Sequence, residues 1–529
     1  MKNTVLPSVI LAALLSIYLL ISSNIGGVSV YILDESKNAS CAREMMERKD
    51  LIVPTFNYEL RTDKPVLHYY FMMAGYQLFG VNAFGARFFS VIFGCLTLVI
   101  TFLFAKKYYG IWTGIWAVLT LTSSLHYVLQ FQLAVPDPYL IFFINASLMC
   151  FFVYWTDKRP VWIYLCYAAM ALGTLTKGPV AAILPGLVFF VFLLVSRALT
   201  LKNIFSLRPF SGIVLYMIIA LPWYILVHLK TNGEWTEGFF LRHNLERFTS
   251  TMEGHGGSFY YPLIYFFIGL LPFVILSIQS LWTTLKDKTT EAGRFLFIVI
   301  GVVLVFFAFS KTQLPNYIVP LYPAFAIIIS AYLDKIFRGI HTPGGWKVSL
   351  WLYGVLMILL PVGIWYGLSI EPELSHISHL WIFFLLWPAG ALTGLFWVYK
   401  NHFRKAALTL SVSSILTMAM FFYVVFPMIN NQNPIQVFEE YINKEAEYVW
   451  FNRMNPAFVF WLKREIPRVT TLKEIELFLN QNPRGYIISS LSDFERNEEL
   501  MNEAGLEILV KQKDLFENPT TIIMHRPRQ

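Results

Sequence analysis

Three charges stand where an apolar chain would be expected to exclude them. Asp137 lies in AVPDPYL, Lys177 in LTKGPVA and Lys311 in SKTQLPNYIVPLYP, each at a Pro- or Gly-containing break beside an apolar run. Charged groups at such places are costly and mark functional cavities. One alone could snorkel to the headgroups; three on one face point to a shared site. A fourth source of chemistry is the stretch 33–65, LDESKNASCAREMMERKDLIVPTFNYELRTDKP, with thirteen acidic or basic residues. It opens on Asp34 and Glu35 and closes on Asp63 and Lys64. A carboxylate can act as a general base or align a nucleophile. A lysine is a compact cation suited to phosphate oxygens. Asp34 and Asp137, together with Lys64, Lys177 and Lys311, therefore suit displacement at a carbon that carries a phosphate leaving group, the cations stabilising the departing charge. Asp34–Glu35 alone would equally serve as the N-cap of a helix over 36–48.

The elements that must position these groups are membrane helices. Of the 529 residues, 56% are hydrophobic, 17% aromatic and 14% charged, whereas a soluble protein is about 25% charged. Apolar runs of spanning length predict thirteen crossings, at 6–28, 84–105, 111–130, 138–156, 161–177, 179–196, 212–229, 261–281, 295–310, 316–334, 349–368, 379–399 and 407–427. The stretch 66–81 is apolar but short and reads as an interfacial helix. With Met1 inside, inner loops collect Lys106, Lys107, Lys158, Arg159, Arg338, Lys400 and Arg404, while outer loops are balanced or acidic. The positive-inside rule is obeyed. The net charge of +8 thus needs no nucleic acid to explain it. Segment 6–28 reads as a retained anchor. The four cysteines form no metal or disulfide pattern.

The chain divides at about residue 427. Residues 1–427 form the membrane domain, with outer loops at 30–83 and 230–260, and 428–529 a small α/β domain outside. In the latter, helices are expected at 434–446 and 472–479, and extended segments at 448–451, 485–490, 506–510 and 520–524. No nucleotide fingerprint is present. Loop 230–260 adds His243 and His255, a weak metal pattern, and aromatics that suit an interfacial belt.

Several pieces in this order resemble the GT-C class of lipid-linked-sugar glycosyltransferases. The likeness is to the aminoarabinose (4-amino-4-deoxy-L-arabinose) transferase branch, related to dolichyl-phosphate-mannose protein mannosyltransferases. They are LDESKNASCAREMMERKDLIVPTFN, TDKPVLHYYF, FGVNAFGARFFSV, VPDPYLIFF, ALGTLTKGPVAAILP, HNLERF and SKTQLPNYIVPLYPAFAI. The resemblance implies a periplasmic cavity that takes an undecaprenyl-phosphate-linked sugar as donor. It implies Asp34 and Asp137 as the acidic positions, and Lys64 and Tyr317, with Lys37, Lys177 and Lys311, at the donor phosphate. Asp63 and His255 would then hold a divalent cation (Zn, Mg or Mn), and no nucleotide cofactor is expected. The sequence departs from the pattern at Asp63-Lys64-Pro65, where Glu-Lys-Pro is usual. Lys37 stands where arginine is common, and Asn38 where tyrosine is common.

The reading is an inner-membrane transferase with its site facing the periplasm. It would move a sugar from a polyprenyl phosphate to lipid A, another glycan or a protein. A flippase would instead place charges near mid-span in paired repeats, and no halves repeat here.

Overall fold

The computed structural model describes residues 2–246, 257–286, 290–516 and 519–527. The fold is helical, with one small sheet near the C-terminus. Helix occupies each of the thirteen apolar runs. Nine of the described helices are long and apolar enough to cross a membrane, and a tenth if Tyr261–Gly269 and Phe273–Lys286, bent by 110°, count as one span. The other three runs hold the shorter or less apolar helices at 111–122, 160–177 and 180–195. Of the thirteen crossings expected, nine or ten among the described residues are thus helices of spanning length, and breaks at Ser123 and Gly178 end two of the others.

The first departure from expectation lies in 33–65. After α1 (Lys2–Ser22) the charged stretch folds as a helix, α2 (Leu33–Arg48), with ten of its residues buried. Charge at this density reads as loop, yet these charges are paired inside the protein. Glu35 meets Arg87 at 2.7 Å, with both side chains at most 2% exposed, and also accepts the Ala134 amide at 2.8 Å. Glu44 accepts Thr55 Oγ1 at 2.7 Å and the amides of Asn57 and Tyr58 at 2.8 and 3.0 Å. Such groups tolerate burial because every lone pair finds a donor. Lys49, at φ 54°, ends α2 in the left-handed region.

A two-stranded hairpin follows, β1 (Thr55–Phe56) and β2 (Glu59–Leu60). Its loop residues Asn57 and Tyr58 have φ of 54° and 62°, the arrangement that matches the twist of paired strands. The expected interfacial segment is α3 (Leu67–Phe79). Asn82 caps α4 (Ala83–Tyr109) by accepting the Gly85 amide. Next come α5 (Ile111–Thr122), α6 (Leu125–Gln130), α7 (Asp137–Asp157), α8 (Pro160–Lys177) and α9 (Val180–Val195). Pro138 sits in the first turn of α7, where its missing N–H costs nothing. Gly178, at φ 96°, stops α8 directly after Lys177.

Two apolar cores result. The larger runs through the membrane helices. The smaller lies under α2 and α3, and includes Met45, Tyr69, Trp223, Trp235 and Phe460. Beyond the last span, a five-stranded sheet has the order β4-β3-β5-β7-β6, from β3 (Tyr448–Phe451), β4 (Arg468–Val469), β5 (Tyr486–Ser490), β6 (Glu507–Lys513) and β7 (Thr520–His525). Pairings are parallel on the β3 side and antiparallel on the β7 side. The helix expected over 434–446 is shorter, Pro434–Phe438, since the chain must turn to feed β3. The helix Leu472–Gln481 matches expectation and opens on a capping box of Thr471 and Glu474.

Candidate active site

A cavity of about 410 Å³ opens where the first loop, α7, α8, α9, the segment Gly238–Glu246, the end of Glu291–Ala308 and the turn Pro315–Leu321 converge. One wall is apolar, made by Leu140, Ile141, Ile144, Ile183, Phe306 and Phe307. The other end is polar, with Asp63, Lys64, Asp137, Lys177, His243, Asn316 and Tyr317. The shape suits an amphiphile with an acyl or prenyl tail and an anionic head.

Asp137 organises the polar end. Its Oδ1 accepts Lys177 Nζ at 2.7 Å and Asn316 Nδ2 at 2.7 Å. The Lys177 ammonium also lies 5.2 Å from the centre of the Tyr317 ring, which in turn packs 5.0 Å from Phe307. One carboxylate therefore ties the start of α7 to the end of α8 and to the turn before the helix Tyr322–Phe337. An ammonium has three donors, so an anion in the cavity can take a donor that Asp137 leaves.

Asp63 organises the loop side. It meets Arg61 Nε at 3.3 Å and His243 Nε2 at 3.1 Å. Burial would raise its carboxyl, but Arg61, Lys64, His243 and Lys37 outweigh that and hold it below the usual carboxylate range. Behind it, Arg61 and His68 are buried. Burial, reinforced by Arg61 and Lys64, holds the His68 imidazole well below its ordinary value, so the ring is neutral.

Of the residues expected from sequence, Asp63, Lys64, Asp137, Lys177 and Tyr317 line the cavity. Asp34 and Lys37 sit half-buried in the first two turns of α2 and do not line it. They remain its electrostatic neighbours, Asp34 beside Arg61 and Lys37 beside Asp63. Asp34 belongs to a helix, not to a flexible loop start. Lys311 is exposed and off the cavity wall. His255 lies outside the described residues. Sequence reasoning passed over Asn316 and the pairing of His243 with Asp63, though both stand in motifs already singled out, next to Tyr317 and in HNLERF.

The residues described do not fit the expected divalent cation. No group of three metal-ligating side chains assembles among them. Asp63 is already engaged by a guanidinium and an imidazole, with Lys64 and Lys37 adding positive charge. That surrounding suits a carboxylate acting as counter-ion.

The dolichyl-phosphate-mannose-protein mannosyltransferase family matches residues 63–225, the segment that supplies Asp63, Lys64, Asp137 and Lys177. Two uncharacterised proteins of Aquifex aeolicus are 30% identical over 326 and 330 residues, which cover 61% and 62% of this chain and 64% and 74% of theirs. Over residues 63–225 the chain is similar to that glycosyltransferase family. Another relative is the undecaprenyl phosphate-alpha-4-amino-4-deoxy-L-arabinose arabinosyl transferase of Yersinia pestis (strain Pestoides F), 27% identical over 395 residues, 70% of this chain and 68% of that protein. The match thus spans just under two thirds of the first of these relatives and slightly more of the others. The GT-C fold itself extends over nearly the whole chain. A crystal structure of ArnT from Cupriavidus metallidurans bound to undecaprenyl phosphate superposes with a TM-score of 0.79 at 19% identity, covering 98% of this chain and 97% of that one.

Proposed function

We propose that the protein transfers a sugar from a polyprenyl phosphate to an acceptor at the outer face of the bacterial inner membrane. The observation that carries this reading is the cavity's lining, which joins apolar side chains to a polar group that includes Lys64, Lys177 and Tyr317. It is supported by the lipid phosphate named for the Cupriavidus structure and by the activity named for the Yersinia relative.

In the displacement an acceptor oxygen bonds to the anomeric carbon while the bond from that carbon to the phosphate oxygen breaks. The electron pair leaves on the lipid phosphate, where Lys64 and Lys177 stabilise it. Asp137 holds Lys177 in place. If the acceptor is a hydroxyl, its proton passes to Asp34 as general base through a bridging water, since Asp34 stands off the cavity wall; if it is a phosphate, already ionised, Asp34 orients it the same way. Lipid A or another envelope glycan is the favoured acceptor. A protein hydroxyl is the second reading, favoured by the family matched at residues 63–225.

The test is direct. Purified protein with undecaprenyl-phosphate-linked aminoarabinose is offered lipid A or a Ser/Thr-rich peptide, and products are weighed by mass spectrometry. A mass gain of one sugar on lipid A is expected. A gain on the peptide alone selects the second reading, and no transfer to either overturns both.

A further inference from the structure

The C-terminal domain touches α2 and the chain on either side of it at three separated places. Asn57, at the tip of the hairpin, exchanges two hydrogen bonds with Ile466. Its Nδ2 donates to the Ile466 carbonyl at 2.9 Å, and the Ile466 amide donates to its Oδ1 at 2.8 Å. Phe460, on the helix Ala457–Leu462, leaves its own domain and is 9% exposed in the core beneath α2 and α3. Phe516 packs 4.7 Å from Tyr31, two residues before α2 begins.

These contacts lead to the site in two directions. Glu44 binds β1 and the hairpin loop to α2, so the tip cannot shift without that helix. Past Leu60, β2 runs straight into Arg61, Asp63 and Lys64, and the last two line the cavity. One residue, Asn57, therefore stands between the outer domain and both parts of the loop wall. Its left-handed backbone is one that Asn tolerates better than most residues.

We propose that the C-terminal domain is a fixed brace for the loop wall, with Asn57 as the positioning residue that transmits it. This rests on the reading of the cavity as a polyprenyl-phosphate site. The domain holds α2 and the Asp63–Lys64 strip in register instead of opening and closing over the site. A displacement of about 1 Å at a binding group can cost two orders of magnitude in rate, so the clasp matters although it is remote from the cavity.

The experiment uses the full-length protein, undecaprenyl phosphate as probe, and hydrogen exchange. Asn57→Gly keeps the backbone conformation and deletes both hydrogen bonds. It should raise amide exchange across 33–48 and 55–64 and weaken undecaprenyl phosphate binding about tenfold, with the global melting temperature little changed. Phe460→Leu, which keeps the site apolar, is the second variant and should loosen the same segment. Asn57→Cys with Glu465→Cys, at the exposed neighbour of Ile466, joined by a short reducible bifunctional thiol reagent, should bind and exchange like wild type. Unchanged exchange in both single variants overturns the brace. Binding that the cross-link abolishes and reduction restores also overturns it, since the domain would then be a moving lid. If wild type does not bind undecaprenyl phosphate, the functional reading fails, while the exchange arm still decides the brace.

Discussion

The ammonium of Lys177 and the carboxylate of Asp137 meet at 2.7 Å, and Asn316 reaches the same oxygen at 2.7 Å. The three residues come from positions far apart in the chain, and each ends or begins an element. Asp137 is thereby committed to holding a lysine. Asp34, the proposed base, stands on α2 beside Arg61 and off the cavity wall.

This division predicts opposite kinetic signatures. Asp34→Asn should lower kcat by roughly 10²–10⁴ with little change in donor affinity. Asp137→Asn should chiefly weaken undecaprenyl phosphate binding. Kinetics and binding on the two purified variants measure both, and the reverse pattern would exchange the roles.

The geometry at Asp137 also predicts a rescue. Asn316→Asp sets two carboxylates against one lysine and should weaken donor binding about tenfold or more, as like charges close together disfavour each other. Combining it with Asp137→Asn restores one acid, one amide and the lysine, and should regain most of the loss. Additive losses in the double variant would show that Asn316 only fills space.

Lys64→Ala should abolish transfer while the protein keeps its fold, because it removes a cation from the head of the cavity. Circular dichroism and turnover on the same sample check this. Near-normal turnover removes Lys64 from the site.

Asp63 has a pH signature. Its folded-state value lies below that of an unfolded aspartate, about 3.9. Its stabilising contribution is therefore complete above that pH and is lost as pH falls through the depressed value. Asp63→Asn should lower the melting temperature at neutral pH, and the gap from wild type should narrow below about pH 4. A gap that is constant with pH would mean that the Arg61 and His243 contacts contribute nothing through charge.

Orientation can be checked with an impermeant thiol reagent in intact cells. A cysteine placed at Asn57 should label and one at His402 should not. The converse would invert the topology.

Much of this was readable in the chain. Hydrophobic runs set where helices lie, since the bilayer demands about 20 apolar residues per crossing, and helix occupies every such run. Of the site residues that the sequence pointed to, Asp63, Lys64, Asp137, Lys177 and Tyr317 line one cavity, and Asp34, Lys37 and Lys311 do not. Four of the five strands beyond the last span were likewise visible as short apolar or extended runs, and β4 was not. Tertiary structure alone decided which charges converge. Lys177 and Lys311 look alike in sequence, each closing an apolar run, but one turns into the cavity and the other to the surface. Charge density made 33–65 read as a loop, with a helix over 36–48 only as the alternative, and packing made 33–48 a buried helix by supplying Arg87, the hairpin amides and Phe460 from elsewhere. The reason is physical: hydropathy is a property of a segment against its solvent, whereas the direction of a side chain and the compensation of a buried charge depend on partners that sequence distance does not disclose.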